Sequence, residues 1–382
     1  MKPGSDFFRH LSWAGLYGAV LLLSACDLPQ PPPDLFYKFD VMPVGQGPAH
    51  LLTADLNLDG EPDLVSTNAK NGTLTLLYGK GDGSFHAGLT INVAAEPTMS
   101  AVGDFNRDGV PDIAINSRGT ERFLVFLGKG NGKFLKPIPT RTGKVPLNII
   151  LGDYNQDGNL DAAVTLTFDE MELYLGTGNG HFKKGETYLT GSRSFSGVTE
   201  DFNDDGHLDI ALAASSSNAS SVRLFIGNGD GTFQKPKRLA EKLVPLAIVA
   251  SDMNDDGKID LVFAAGQGDN LYLLTSNGDG SFKDPVAFSA GGGPFALITG
   301  HFDPDKLKDV AVANSRSSTF SIVVRNANGT FKFPTRDYVI EGGTVLAITS
   351  GDYNHSGMSD IVVASNAKHT IEIYLQRRVF TN

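Results

Sequence analysis

The sequence predicts an all-β fold: a seven-bladed β-propeller with four-stranded blades, its ring closed by an N-terminal strand that pairs into the last blade. Three observations carry this expectation. A nine-residue acidic pattern returns seven times, a Gly-rich turn motif keeps step with it, and the stretches between them are short and apolar, with no helical periodicity. A fixed period near fifty residues marks stacked supersecondary units that cannot bury their apolar faces alone.

The acidic pattern reads DLNLDGEPD from Asp55, DFNRDGVPD from Asp104, DYNQDGNLD from Asp153, DFNDDGHLD from Asp201 and DMNDDGKID from Asp252. Two weaker copies follow, HFDPDKLKD from His301 and DYNHSGMSD from Asp352, and successive starts lie 48 to 51 residues apart. The turn motif reads YGKGDGSF ending at Phe85, LGKGNGKF at Phe134, LGTGNGHF at Phe182, IGNGDGTF at Phe233, TSNGDGSF at Phe282 and RNANGTF at Phe331. Asp-Gly and Asn-Gly are strong hairpin signals because a type I′ turn needs positive φ at both central positions. Runs such as 113–115, 123–127, 173–175, 224–226 and 322–324 are rich in Val, Ile, Leu and Phe and bounded by Gly, Asn or Pro, which is strand grammar. Each period therefore holds four strands, one on either side of the acidic loop and one on either side of the Gly-rich turn. Seven such units are propeller blades.

The ends complement each other. Residues 35–44 read as the last strand of a unit, while the seventh unit reaches Tyr374 and Leu375 with no Gly-rich turn and no fourth strand. The expectation is that 35–44 completes the last blade and removes an open edge.

Residues 1–25 read as a secretory signal, with Lys2 and Arg9 ahead of an apolar core from Leu11 to Leu23. That core is shorter than the roughly twenty residues a spanning helix needs. The ending LSAC resembles a lipoprotein lipobox, making Cys26 the acylated residue; it is the only cysteine, so no internal disulfide forms. Residues 26–34 carry three consecutive prolines and read as an extended tether about 25 Å long. Residues 35–382 then form one propeller domain. The expected location is the cell envelope, held by the lipid alone, either on the periplasmic side of the inner membrane, as Asp27 suggests, or at the outer membrane or cell surface. The expected state is a monomer.

In the second acidic copy Asp104, Asn106 and Asp108 occupy positions 1, 3 and 5, Gly109 position 6 and Asp112 position 9. Alternate oxygens on a tight loop converge on one cation, and hard oxygen donors on a flexible loop favour Ca²⁺ over Mg²⁺. Soft metals lack ligands, since the eight histidines show no paired spacing. The pattern matches the first half of an EF-hand loop, but the Glu at position 12 is absent from every copy.

With five intact copies in register, plus the GxGDGxF partner motif, the chain resembles the FG-GAP/VCBS repeat family, the calcium-loop propellers that include the integrin α-subunit head. The resemblance covers nearly all of residues 35–378. It implies about five structural Ca²⁺ ions at Asp55, Asn57, Asp59 and Asp63; Asp104, Asn106, Asp108 and Asp112; Asp153, Asn155, Asp157 and Asp161; Asp201, Asn203, Asp205 and Asp209; and Asp252, Asn254, Asp256 and Asp260. In the sixth copy His301 replaces the first Asp, Pro304 stiffens the turn and Lys306 replaces the Gly, so that loop is expected to be metal-free, with Lys306 near the ion position. In the seventh, Asp352, Asn354, Ser356 and Asp360 form a weak site, because Ser356 replaces a carboxylate.

The formal net charge is −11, and −12 once residues 1–25 are removed; five divalent ions would bring it to about −2. The acidity is thus mostly ligand, and the absence of a basic stripe excludes nucleic acid as a partner. The chain shows no nucleophile elbow, zinc signature or phosphate loop. His50, His181 and His369 are scattered and read as loop or packing residues. No helix pair exists for a calcium sensor to open, so the metal is read as structural.

The expected function is a membrane-anchored extracytoplasmic binding or interaction module for an unknown protein or glycan. By chain direction the acidic loops and Gly-rich turns share one face. The remaining turns and the inter-blade links share the other, where binding loops on a rigid scaffold belong. Arg118, Glu121, Arg122, Asp169, Glu170, Arg193, Arg316 and Lys368 fall there. The alternatives are a carbohydrate-active lyase or hydrolase and a structural component of an envelope complex. Trp13, the only tryptophan, leaves with the signal, and the phenylalanines at fixed repeat positions read as blade packing.

Overall fold

Seven separate antiparallel sheets of four strands each account for the regular structure, and the computed structural model describes residues 34–93, 95–216, 219–305, 307–332 and 335–377. The expected signal at 1–25, Cys26, the expected tether up to Pro33, and Lys306 lie outside the described residues. Blade one runs Pro48–Ala54, Asp63–Asn68, Thr73–Gly79 and Phe85–Asn92, in spatial order as in sequence. Blades two to six repeat this plan, and apart from strands the described residues hold only one short 3₁₀ turn at Arg118–Thr120.

Blade seven takes three strands from the C-terminal end, Val345–Gly351, Asp360–Ser365 and Thr370–Gln376, and its fourth from the N-terminal end, Phe36–Pro43. Phe36 pairs with Gln376 and Pro43 with Thr370, with a bulge between Lys38 and Asp40. The ring therefore closes as the complementary ends require, and the last sheet keeps no bare edge on its C-terminal strand.

Burial follows position within the blade. The second strand is flanked by two strands of its own sheet and covered by neighbouring blades on both faces. All six residues of Asp63–Asn68, Asp112–Ser117, Asp161–Leu166, Asp260–Ala265, Asp309–Asn314 and Asp360–Ser365 are buried. The first strand of each blade touches the first strands of its two neighbours around a central channel, and its burial is partial in all but blade three.

The repeated aromatics tie one blade to the next. Tyr353 meets Phe85, Phe105 meets Phe182, Tyr154 meets Phe233 and Phe202 meets Phe282, each edge-on with ring centroids 5.2–6.0 Å apart. In every case the residue after the first acidic-loop Asp packs on the phenylalanine of the following blade's Gly-rich turn. Such pairs contribute roughly 0.5–1.5 kcal/mol beyond their area. The pair from blade seven to blade one seals the ring as any other seam.

Candidate metal loops and the opposite face

Each intact acidic loop folds onto its own carboxylates. In the first, Asp55 accepts the Asp59 N–H on Oδ1 (3.2 Å) and the Gly60 N–H on Oδ2 (3.0 Å), while Asn57 Oδ1 accepts the same Asp59 N–H at 3.0 Å. Asp59 in turn takes the Glu61 N–H at 2.9 Å and the Asn57 Nδ2 at 2.8 Å. The oxygens at positions 1, 3 and 5 are thus gathered by the turn itself. Gly60 sits at φ +89°, a conformation that L side chains rarely adopt. Position 4 is also left-handed although it is not glycine, as at Leu58, Arg107, Gln156, Asp204 and Asp255. The sequence carries no signal for that second strained position.

The ninth-position Asp does something else. Asp63 is fully buried; its Oδ2 accepts the Leu56 N–H and its Oδ1 the Gly79 N–H, both at 2.9 Å. It clamps the acidic loop to the start of the Gly-rich turn of the same blade. Asp112, Asp161, Asp209 and Asp260 make the same two bonds at 2.7–3.0 Å. So do Asp309 and Asp360 of the two degenerate loops, at 2.8–3.1 Å. Burial first, and then the neighbouring loop carboxylates, push Asp63, Asp112, Asp161 and Asp209 up to about 6. Asp260 is raised by the same causes. The carboxylates and the Asn amide oxygen of each intact turn, with a buried carboxylate beneath them, are hard oxygen donors of the kind a divalent cation takes, but among the described residues the three carboxylates of an intact loop do not lie within 4.8 Å of one another. The ninth carboxylate keeps lone pairs beyond its two backbone bonds.

The sixth loop departs in a way only the structure reveals. Asp303, Asp305 and Asp309 are the one trio of carboxylates, among the described residues, whose oxygens all lie within 4.8 Å of one another. Lys332 supplies the counter-charge, with Nζ 3.2 Å from Asp303 Oδ2 and 3.6 Å from Asp305 Oδ2. His301 is turned aside, its Nδ1 3.1 Å from the Leu307 carbonyl. An ammonium already stands between two of the acids, so this loop fits a metal poorly. Lys332, 26 residues beyond Lys306, was not legible as a loop residue. The seventh loop keeps its turn, since Asp352 accepts the Ser356 and Gly357 N–H groups at 2.8 Å each, but has one carboxylate fewer.

The acidic loops also latch adjacent blades. The Gly83, Gly180, Gly231 and Gly280 N–H groups donate to the carbonyls of Tyr353, Phe105, Tyr154 and Phe202 in the preceding blades at 2.7–3.0 Å. In blade six the equivalent Gly329 N–H turns to the Asn326 carbonyl of its own turn at 2.9 Å, and Arg325 supplies the bond across the seam instead. Its guanidinium, 1% exposed, donates to the Met253 carbonyl at 2.7 Å and to Asp255 Oδ2 at 2.5 Å.

On the opposite face the candidate charges differ in their partners. Arg118 lies 3.9 Å from Glu96, Arg316 pairs with Asp269, and Lys368 lies 3.2 Å from Glu341. Glu121, Arg122 and Glu170 flank the turns between second and third strands. The Arg193 side chain has no hydrogen bond or ion pair among the described residues, and it lines a pocket of about 820 Å³ with Phe168, Asp169, Phe195, Ser215 and Gln267. A second cavity, about 670 Å³, is the central channel, lined largely by Leu, Ile, Ala and Phe from the first strands. His50 borders it, Nδ1 3.1 Å from Ser100 Oγ, and burial pulls its pKa down to about 4. His181 is exposed in a Gly-rich turn, and His369 Nδ1 accepts the Gly47 N–H at 3.2 Å.

Fold and loops together define a class: a propeller whose blades each carry an Asp-rich loop between the first two strands. The FG-GAP-like repeat matches residues 55–115, 104–164, 153–212, 201–263, 252–312 and 301–363, and the chain belongs to that repeat family. No curated protein matches it in sequence. Among solved structures it is similar to BBS1N in complex with ARL6DN, in lead- and mercury-soaked crystals, at 13% identity and TM-scores of 0.62 and 0.63. Those matches cover 90% of this chain and 98% of the other. It is also similar to an Agrocybe aegerita lectin that recognises non-reducing terminal N-acetylglucosamine, at 16% identity and TM-score 0.55, covering 87% of this chain and 97% of the lectin. These likenesses establish the fold alone.

Proposed function

We propose that the protein is a lipid-anchored, calcium-stabilised binding module of the cell envelope whose ligand docks on the face opposite the acidic loops. The observation that carries the binding reading is the pocket beside Arg193: a concave site on that face, with exposed aromatic rings and a guanidinium that has no partner among the described residues. No histidine or tyrosine lines it, which favours recognition over proton transfer. Both similar folds bind something, one a protein and the other a sugar.

Calcium would be held by the five intact loops, from Asp55, Asn57, Asp59 and Asp63 through Asp252, Asn254, Asp256 and Asp260, and would neutralise charge there. Its role is structural, because each loop is clamped to its own blade and loops two to five are bonded to the next blade as well. Membrane attachment rests on the lipobox-like ending at Cys26. Thermal melts with and without EDTA test the metal, and an unchanged melting temperature defeats it. Membrane fractionation of Cys26→Ser tests the anchor, and continued membrane association defeats that. A capture experiment from envelope extract, comparing wild type with Arg193→Met, tests the face: partners retained equally by both count against it.

A further inference from the structure

We propose that the pocket joining blades three, four and five binds an uncharged saccharide one or two residues long; this rests on the binding-module reading above. The pocket exists because blade four begins differently. Five of the other blades open their first strand with proline, at Pro48, Pro97, Pro146, Pro245 and Pro294. Proline has no N–H to extend a ladder. Blade four has Ser194 at that register, opposite Ala214, and its strand runs one residue further back, so that Arg193 pairs with Ser215. Its second strand, Asp209–Ser215, is correspondingly seven residues long, where the others have six.

Ser194 is buried while its neighbours Arg193 and Phe195 are exposed, and with a bulge in the register at Phe195 both of these line the pocket. From blade three the turn between second and third strands brings Phe168 and Asp169 to the same cavity, and blade five adds Gln267. Phe168 is 63% exposed and Phe195 44%. Two aromatic rings left largely in water are faces that a ligand can cover.

The polar groups narrow the ligand class. Arg193 only donates, the ionised Asp169 only accepts, and the Gln267 amide does both. None of the three side chains has a hydrogen-bond partner among the described residues. An anion would satisfy Arg193 and meet repulsion from Asp169; a cation would meet the reverse. A hydroxyl donates and accepts at once, so a polyol edge bridges both. A sugar ring adds an apolar C–H face to that hydroxyl edge, matching rings flanked by mixed polar groups. An extended peptide would add to a free strand edge, but the unpaired edge of this first strand is flanked by the first strands of blades three and five around the central channel. A cavity of about 820 Å³ suits a small ligand. Elsewhere on this face Arg316 and Lys368 are already paired with Asp269 and Glu341.

The test is saturation-transfer NMR on the full-length protein with methyl glycosides and with cello-, malto-, xylo- and chito-oligosaccharides of two or three residues. Glucuronate and an unrelated acidic dipeptide are the charged controls. At least one neutral saccharide is expected to bind, and Arg193→Met and Phe168→Ala should each weaken it by about tenfold or more. Arg118→Met should leave binding unchanged, and all three variants should melt like the wild type. No binding by any neutral sugar at about 10 mM, or binding indifferent to both pocket variants, overturns the proposal. Binding of glucuronate or the dipeptide alone, lost in Arg193→Met, overturns the saccharide and leaves the binding module standing. If the face variants change neither small-ligand binding nor partner capture, both readings fall.

Discussion

Lys332 Nζ lies 3.2 Å from Asp303 Oδ2, in the one acidic loop that has lost its leading Asp. A side chain from the far end of the same blade thus supplies a positive charge to the acids at positions 3 and 5, positions at which no intact loop has an ion pair among the described residues. The Lys332 side chain is half exposed and Asp303 is nearly buried. Lys332→Met should therefore cost about 1 kcal/mol, by the same amount in calcium and in EDTA. Denaturant unfolding in both media checks this, and a cost that appears only in EDTA would contradict a metal-free loop six.

The ninth-position Asp is expected to matter whether or not metal is present. Asp112→Ala removes the acceptor of both the Phe105 and the Gly128 N–H groups, deep in blade two. Two buried donors left unpaired cost roughly 2–6 kcal/mol. Asp104→Ala, whose carboxylate serves exposed loop N–H groups, should cost less and chiefly when calcium is present. The melting temperatures of the two variants in EDTA separate these roles.

His50 sets a pH dependence of known sign. Burial holds its folded-state pKa near 4, against 6.5 when unfolded. The unfolded chain therefore takes up the proton first, and stability present above pH 6.5 is lost as pH falls towards 4. Its ring is deep in the molecule but keeps an edge on the channel, where water softens the effect, so the loss is at most roughly 3 kcal/mol. The raised ninth-position carboxylates act in the opposite direction, which makes the difference between wild type and His50→Gln the informative quantity. That difference should move in favour of the variant between pH 6.5 and 4, as read from melting curves.

Removal of Phe36–Pro43 would bare the outer edge of Thr370–Gln376, including Ile371 and Ile373. A bare apolar edge pairs with another copy. The truncated protein should elute as larger species than the intact chain in size-exclusion chromatography.

The architecture was legible because its causes are local and repeated. The Asp-Gly turns, the fifty-residue period and the orphan strand at 35–44 suffice for seven blades and their closure. The loop carboxylates were legible as a group, since spacing brings positions 1, 3 and 5 together on any tight turn. Lys332, Arg325 and Arg193 were not legible in the same way. What Lys332 neutralises, what Arg325 replaces across a blade seam and what Arg193 lacks all depend on residues distant in the chain. The pair of hydrogen bonds accepted by each ninth-position Asp was hidden for the same reason, because its second donor lies 15 to 18 residues away.

The pairing of Phe36 with Gln376 joins strands at opposite ends of the chain. The first strand to be made has no partner until the last has been made, so the ring cannot lock until the whole polypeptide is present. Such long-range pairing is slow to form, and the waiting edges are exposed to aggregation meanwhile. Once shut, the same seam works in the protein's favour. With no free blade end from which to fray, unfolding must begin by parting one closed ring, and the lifetime of the folded state is set by the rate of that opening.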